Sequence, residues 1–133
     1  MPTTMTDDTQ TRVIDELLLR GLDDWLQMAE VVFVVGAADP TLSNDDKKVR
    51  ALKVVAEMLD GGLMEAGEVT ADGFVSWRVS PKMAIATIVE RWSRLEDMPG
   101  IGELCWLANT AAGDAAVKTV VPSPPVPGAR TQL

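Results

Sequence analysis

Twenty carboxylates, twelve basic side chains, four tryptophans, one cysteine and no histidine are the groups with which this 133-residue chain would have to do chemistry. Without histidine, the Cys-His and Ser-His-Asp arrangements of nucleophilic catalysis are excluded. Cys105 would need a neighbouring base and an electropositive setting to react as a thiolate. Its neighbours are Leu104 and Trp106, so it reads as a strand residue passing through the core. The acid pairs Asp7-Asp8, Asp15-Glu16, Asp23-Asp24, Asp45-Asp46 and Glu96-Asp97 fare no better as metal ligands. Adjacent side chains on a helix point about 100° apart and do not converge on one ion. Most of these pairs stand where a helix would begin, where a negative charge favours the helix dipole. No phosphate-binding loop, GxGxxG, CxxC or HExxH pattern occurs. No catalytic, cofactor-binding or metal-binding residue is assigned, and the chain is read as not an enzyme.

What remains is charge and aromatic surface. The formal net charge is −8. Eight acids and two bases fall in residues 1–42, four of each in 43–60, and three acids with one base in 61–79. Such a field repels phosphate backbones and attracts basic partners. Asp23, Asp24, Glu65, Glu68 and Asp72, with Trp77 beside them, are therefore the candidate partner-binding residues. The competing candidates are Lys47, Lys48, Arg50 and Lys53 in DDKKVRALK, which would reach phosphates or guanine edges if the chain read DNA. Against that, Asp46 and Arg50 have the spacing of a helical ion pair, and a solvated face explains the segment without a ligand. Trp25, Trp77, Trp92 and Trp106 each lie in an inward-pointing pattern, with Trp77 the one expected to be partly exposed.

The elements that must position these groups can be read from periodicity. The length suits one domain with its own core, and the expected division is a flexible leader over 1–9, a domain over 10–120 and a flexible Pro-rich tail over 121–133. The longest apolar run, Val31 to Ala38, is far short of the roughly 20 residues that span a bilayer. The polar start MPTTMTDDTQ lacks the features of a secretory signal, and a lone cysteine gives no internal disulfide, so the expected location is the cytoplasm. A first helix is predicted over Thr11 to Arg20, with Val13, Leu17 and either Ile14 or Leu18 inward and Gly21 near its end. A second starts at Asp23 as N-cap and carries Leu22, Trp25, Leu26, Ala29, Val32, Phe33 and Gly36; its VVFVV run would also suit a buried strand.

Ser43 and Asp46 form a capping-box-like start for a third helix, with Val49, Leu52, Ala56 and Leu59 on one face and Gly61-Gly62 ending it through a left-handed cap. A hairpin follows around Asp72-Gly73, with Val69, Val75, Trp77 and Val79 inward or cross-strand. Ser80-Pro81 starts another helix, striped by Ala84, Ile85, Ile88, Trp92 and Leu95. GELCWLANT reads as a last strand leading into AAGDAAVK.

In that order of pieces, ALKVVAEMLDGGLMEAGEV resembles the recognition helix and first wing strand of winged-helix proteins. CWLANTAAGDAAV resembles the second wing strand and its exit, with Leu107, Thr110 and Gly113 at the recurrent positions. GLMEAGEV, GFVSW and CWLANTAAGD together also look like an uncharacterised group of small acidic actinobacterial proteins. The family's wing strands are consecutive, whereas here a helix from Ser80 to about Leu95 falls between them. The expected fold is α+β: N-terminal helices, a small antiparallel sheet of three strands with winged-helix character, and one helix packed across it. The expected function is non-enzymatic binding of a basic protein partner, with neutralisation of a toxin as one member of that class. The alternative implied by the resemblance is a dimeric winged-helix transcriptional regulator. Homodimer formation is compatible with either.

Overall fold

The computed structural model describes residues 7–95, 99 and 104–120. The order of elements is α1 (Asp7–Asp23), β1 (Leu26–Gln27), α2 (Met28–Ala38), α3 (Asn44–Asp60), β2 (Met64–Thr70), β3 (Gly73–Ser76), α4 (Pro81–Trp92), β4 (Trp106–Asn109) and α5 (Ala111–Val120). Four antiparallel strands form one sheet in the order β1-β4-β2-β3. The fold is therefore α+β, with one strand more than the sequence suggested and α4 inserted between β3 and β4 as expected. The predicted Pro-rich tail lies outside the described residues, while residues 7–9 of the predicted leader belong to α1.

α1 buries Val13, Ile14, Leu17 and Leu18, so both candidate positions face the core. It does not end at Gly21. A Cβ there would lie 2.2 Å from Asn109 Oδ1, and Asn109 Nδ2 donates to the Leu18 carbonyl at 2.9 Å, so the glycine admits a β4 side chain to the helix surface. Asp23 is likewise not an N-cap. The Asp24 carboxylate accepts from the Trp25 N–H, and Leu26 and Gln27 then pair with Leu107 and Trp106. This pairing keeps the chain extended and delays α2 to Met28. The VVFVV run is helical, with Met28, Val31, Val34 and Val35 buried.

The Ser43 hydroxyl accepts from the Asp46 N–H at 3.1 Å, a contact of a type contributing about 1 kcal/mol. At the other end the Gly62 N–H bonds the Leu59 carbonyl and the Leu63 N–H bonds that of Met58, with Gly62 at φ +71°. These two bonds satisfy carbonyls the helix would otherwise leave open. The buried face of α3 is shifted from the predicted one: Arg50, Ala51, Val54, Val55 and Met58 are inward together with Leu59, which was expected there, and Leu52 packs against the core, while Val49 is 49% exposed. Both stripes are apolar at helical spacing, and packing against α2 and α4 selects between them.

Ser80 caps α4 by accepting from the Met83 N–H, and Pro81 opens it. Ala84, Ile88 and Trp92 are buried, with Ile85 and Leu95 packed against the core. α4 lies chiefly against α3 and reaches the sheet through long side chains. The Leu107, Thr110 and Gly113 positions have structural roles. Leu107 is fully buried. The Thr110 hydroxyl accepts from the Gly113 N–H and donates to the Gly62 carbonyl, joining the start of α5 to the end of α3. A Cβ at Gly113 would lie 2.1 Å from the Leu63 carbonyl oxygen.

Candidate functional site

Alternation along the strands divides the sheet into two faces. Met64, Ala66, Leu107 and Leu26 are buried on the helix-packed face, at 5% exposure or less. Glu65, Gly67 and Val69, paired in register with Ala108, Trp106 and Phe74, belong to the opposite face, which Gln27 extends through its pairing with Trp106. This outer face is half-buried at Gln27, Val69, Phe74 and Trp106, and exposed at Glu65.

β1 and β3 are the two edge strands, yet Trp25, just before β1, meets Phe74 of β3 with ring centroids 6.4 Å apart. The hairpin must curl over the outer face for that contact to form. Gly67 is where it curls: a Cβ there would lie 2.1 Å from the Val75 carbonyl oxygen and 2.9 Å from the Phe74 ring. Only glycine allows backbone and ring so close. The Trp25 ring also passes beside Gly73, whose φ of +103° closes the turn. The turn consequently uses Ala71-Asp72 as its loop, with Thr70 and Gly73 paired across it.

Through this curl the hairpin turn, where Asp72 precedes Gly73, comes against the ring of Trp25, which follows Asp23 and Asp24 in the chain; Glu65 is on the outer face of β2. All four acids are exposed, and none forms an ion pair among the described residues. Trp25 is 39% exposed. Trp25, which lies in an inward-pointing pattern in the sequence, is thus a surface residue, and the signal for its contact with Phe74 is the lone glycine inside the strand pattern, which marks close backbone approach.

Glu68 and Trp77 are separated from this group. They lie on the α4 side of the hairpin, where the Trp77 Nε1–H donates to Glu68 Oε2 at 2.8 Å and Arg91 Nη1 donates to the same oxygen at 3.1 Å. The Arg91 guanidinium stacks over the Trp77 ring at 4.9 Å and also donates to the Leu104 carbonyl at 2.7 Å. Leu104 has a left-handed backbone, φ +76°, and this bond fixes the chain as it enters β4. The expected set of six partner-binding residues is thus corrected to two groups: Asp23, Asp24, Glu65 and Asp72 form no ion pair among the described residues, while Glu68 and Trp77 are engaged internally. Trp77 is half-buried as expected, but Trp25 is the more open ring, and only Trp92 is deeply buried. Val75 and Val79 are 48% and 46% exposed and so not inward, while Val75 stands cross-strand to Glu68.

Cys105 is fully buried beside this arginine, and its thiol is pushed up to about 12, first by burial and then by the Glu68 charge, with Arg91 opposing. At neutral pH it is a protonated, inaccessible thiol. The basic residues of α3 do not form one open surface. Arg50 is 7% exposed, which corrects its placement as a DNA contact. Lys48 Nζ lies over the Trp92 ring at 5.4 Å, and the Lys47 stem packs against Gly36 of α2. Lys53 alone of the four is exposed.

The described surface also carries concave features. A groove of about 350 Å³ between α1 and α2 is lined by Thr9, Arg12, Val13, Glu16 and Val34 among others. A cleft of about 220 Å³ between the end of α3, β2 and the β3–α4 link includes Glu65, Arg78 and Val79. Among the described residues no three metal-binding side chains cluster, and no helix is long and apolar enough to cross a membrane. No family model, curated protein or solved structure matches the chain.

Proposed function

We propose that this chain is a non-enzymatic, cytoplasmic binding module that takes a basic protein partner on the outer face of its sheet. The observation that carries the reading is the contact of the open Trp25 ring with Phe74 and with the turn at Gly73, which sets an aromatic centre between the chain positions of Asp23 and Asp24 and that of Asp72, with Glu65 on the outer face of β2. All four acids are exposed and, among the described residues, free of ion pairs. Carboxylates of this kind steer a basic partner and select it by charge, while an aromatic centre supplies area that can be desolvated. Masking of a basic toxin or nuclease is one activity within this class. Duplex DNA is disfavoured by the same surface charge and by the burial of Arg50.

The test is capture from native lysate, with and without nuclease, using tagged wild-type protein, an Asp24→Lys/Glu65→Lys double variant and Glu68→Gln. A stoichiometric protein that survives nuclease, is lost in the double variant and is retained by Glu68→Gln is the expected result. Equal capture by the double variant would remove the outer face from consideration. Recovery of DNA alone, lost as salt rises, would transfer the function to the remaining lysines of α3.

A further inference from the structure

The free edge of the sheet carries a self-complementary pattern. β3 is an outermost strand, paired on one side with β2. The Trp77 N–H bonds the Ala66 carbonyl, so in the alternation of an antiparallel ladder Val75 and Gly73 also direct their backbone groups at β2. Phe74 and Ser76 direct theirs outward. An exposed edge with unpaired amide and carbonyl groups is a template for another strand. Among the described residues nothing blunts this one: the strand carries no charge or proline, and Val75 stands 48% exposed at its centre. Farther along the chain, Val79 and Met83 are 46% and 56% exposed.

We propose that two copies of this protein pair through β3, antiparallel and about a two-fold axis at Val75. In that register Phe74 faces Ser76 of the second copy, and their outward backbone groups meet as hydrogen-bonded pairs. Val75 faces Val75 in the closer, non-hydrogen-bonded position. The same register sets Asp72 opposite Arg78. Both are exposed, and neither has an ion-pair partner within its own chain among the described residues. The Arg78 backbone is left-handed, φ +56°, and its N–H bonds the Ser76 hydroxyl. Two symmetry-related Asp72–Arg78 pairs therefore bracket the apolar centre, which is the isologous arrangement of a closed dimer. Shifting the register by two residues keeps the backbone bonds but separates these charges, so charge complementarity selects the Val75-centred pairing. The acidic outer faces of the two copies then lie on the same side of a continuous sheet. Pairing through β3 does not require the basic partner proposed above.

Sedimentation of the full chain over a concentration series at moderate ionic strength tests this directly. Wild type is expected to show a monomer–dimer equilibrium. Asp72→Arg or Arg78→Asp, by placing like charges opposite each other at two sites, should raise the dissociation constant about tenfold, and the double exchange should restore it. Val75→Cys should form an intermolecular disulfide on oxidation, because directly opposed strand residues satisfy its geometry. Glu65→Cys should not. Native Cys105 is buried and silent in this assay. A wild-type protein that stays monomeric throughout overturns the proposal. So does a dimer that ignores both charge variants and leaves the Val75→Cys variant unlinked, since its interface would lie elsewhere. Loss of partner capture with dimerisation intact would count against the binding module alone.

Discussion

Glu65 and Glu68 stand three residues apart on one strand, yet the protein treats their charges in opposite ways. Glu68 accepts from Trp77 and Arg91, and the same arginine covers the Trp77 ring and holds the Leu104 carbonyl. Glu65, with Asp23, Asp24 and Asp72, has no cationic partner among the described residues. On the α4 side, charge is consumed in fastening β4 and the hairpin to a helix. On the outer side, it is left facing solvent. Satisfied charges of the first kind report on the fold. Unsatisfied ones contribute little to it and remain available to something outside.

The largest effect should come from the one residue on which both faces depend. Gly67→Val would drive a side chain into the Val75 carbonyl and the Phe74 ring, neither of which can withdraw without uncurling the hairpin. Destabilisation of about 3 kcal/mol or more is expected, read as a fall in the urea midpoint. A change within about 0.5 kcal/mol would mean that the Trp25–Phe74 contact does not depend on the bend.

Removing the fastening side alone should be smaller. Arg91→Ala leaves the Leu104 carbonyl without its side-chain donor and strips a cover from Trp77. With Arg91 and Glu68 both roughly two-fifths or more exposed, the ion pair itself contributes little, so about 1–2 kcal/mol is expected, chiefly from the carbonyl and the packing. Cys105 follows Leu104 directly and provides a local reading. Its thiol should label slowly with a disulfide reagent at pH 8 in wild type, and roughly tenfold faster in Arg91→Ala if the arginine governs local opening. An unchanged rate would separate the arginine from the start of β4.

The same thiol fixes a pH dependence. Its folded value of about 12 lies above the ordinary 9.0, so the protonated form is favoured by folding. Its contribution is fully present below about pH 9 and is lost as pH rises toward 12. Lysines titrate in part of that range as well, so the comparison is with Cys105→Ala, which should lose stability less steeply over the same interval.

How much of this was legible in the sequence depends on whether the deciding signal was local. Ser43, Gly61-Gly62, Ser80-Pro81 and Asp72-Gly73 carry their own turn and cap chemistry, and the elements they bound stand where they were read. β1 has no local signal at all. Two residues become a strand because Leu107 and Trp106 pair with them, and the expected Asp23 cap yields to that pairing. The face of α3 was ambiguous because two apolar stripes share the helix, and the stripe through Val49 and Leu52 leaves Arg50 off the core face, at ion-pair spacing from Asp46. Packing sets its position instead, and from there its charge reaches Asp39, whose carboxyl is lowered first by its bonds from Thr41 and to a lesser degree by Arg50. The acidic residues were identifiable as a class, but their division was not. Strand parity puts Glu65 and Glu68 on opposite faces, while Trp25 joins the outer group only through the curl at Gly67.

The smallest expected effect makes the comparison sharpest. Asp24→Asn with Glu65→Gln removes two outer charges without changing shape, and should alter stability by no more than about 0.5 kcal/mol, with an increase the more natural direction for a chain of net charge −8. Asp24→Asn keeps a side-chain oxygen that can accept from the Trp25 N–H, so the entry to β1 is retained. Glu68→Gln also keeps an acceptor for Trp77, but it replaces a charged acceptor of Arg91 by a neutral one. Its cost should be measurably the larger of the two despite involving one charge rather than two. If the double outer variant proved the more destabilising, Glu65 and Asp24 would be structural groups, and the outer face would lose its claim to charge held in reserve for a partner.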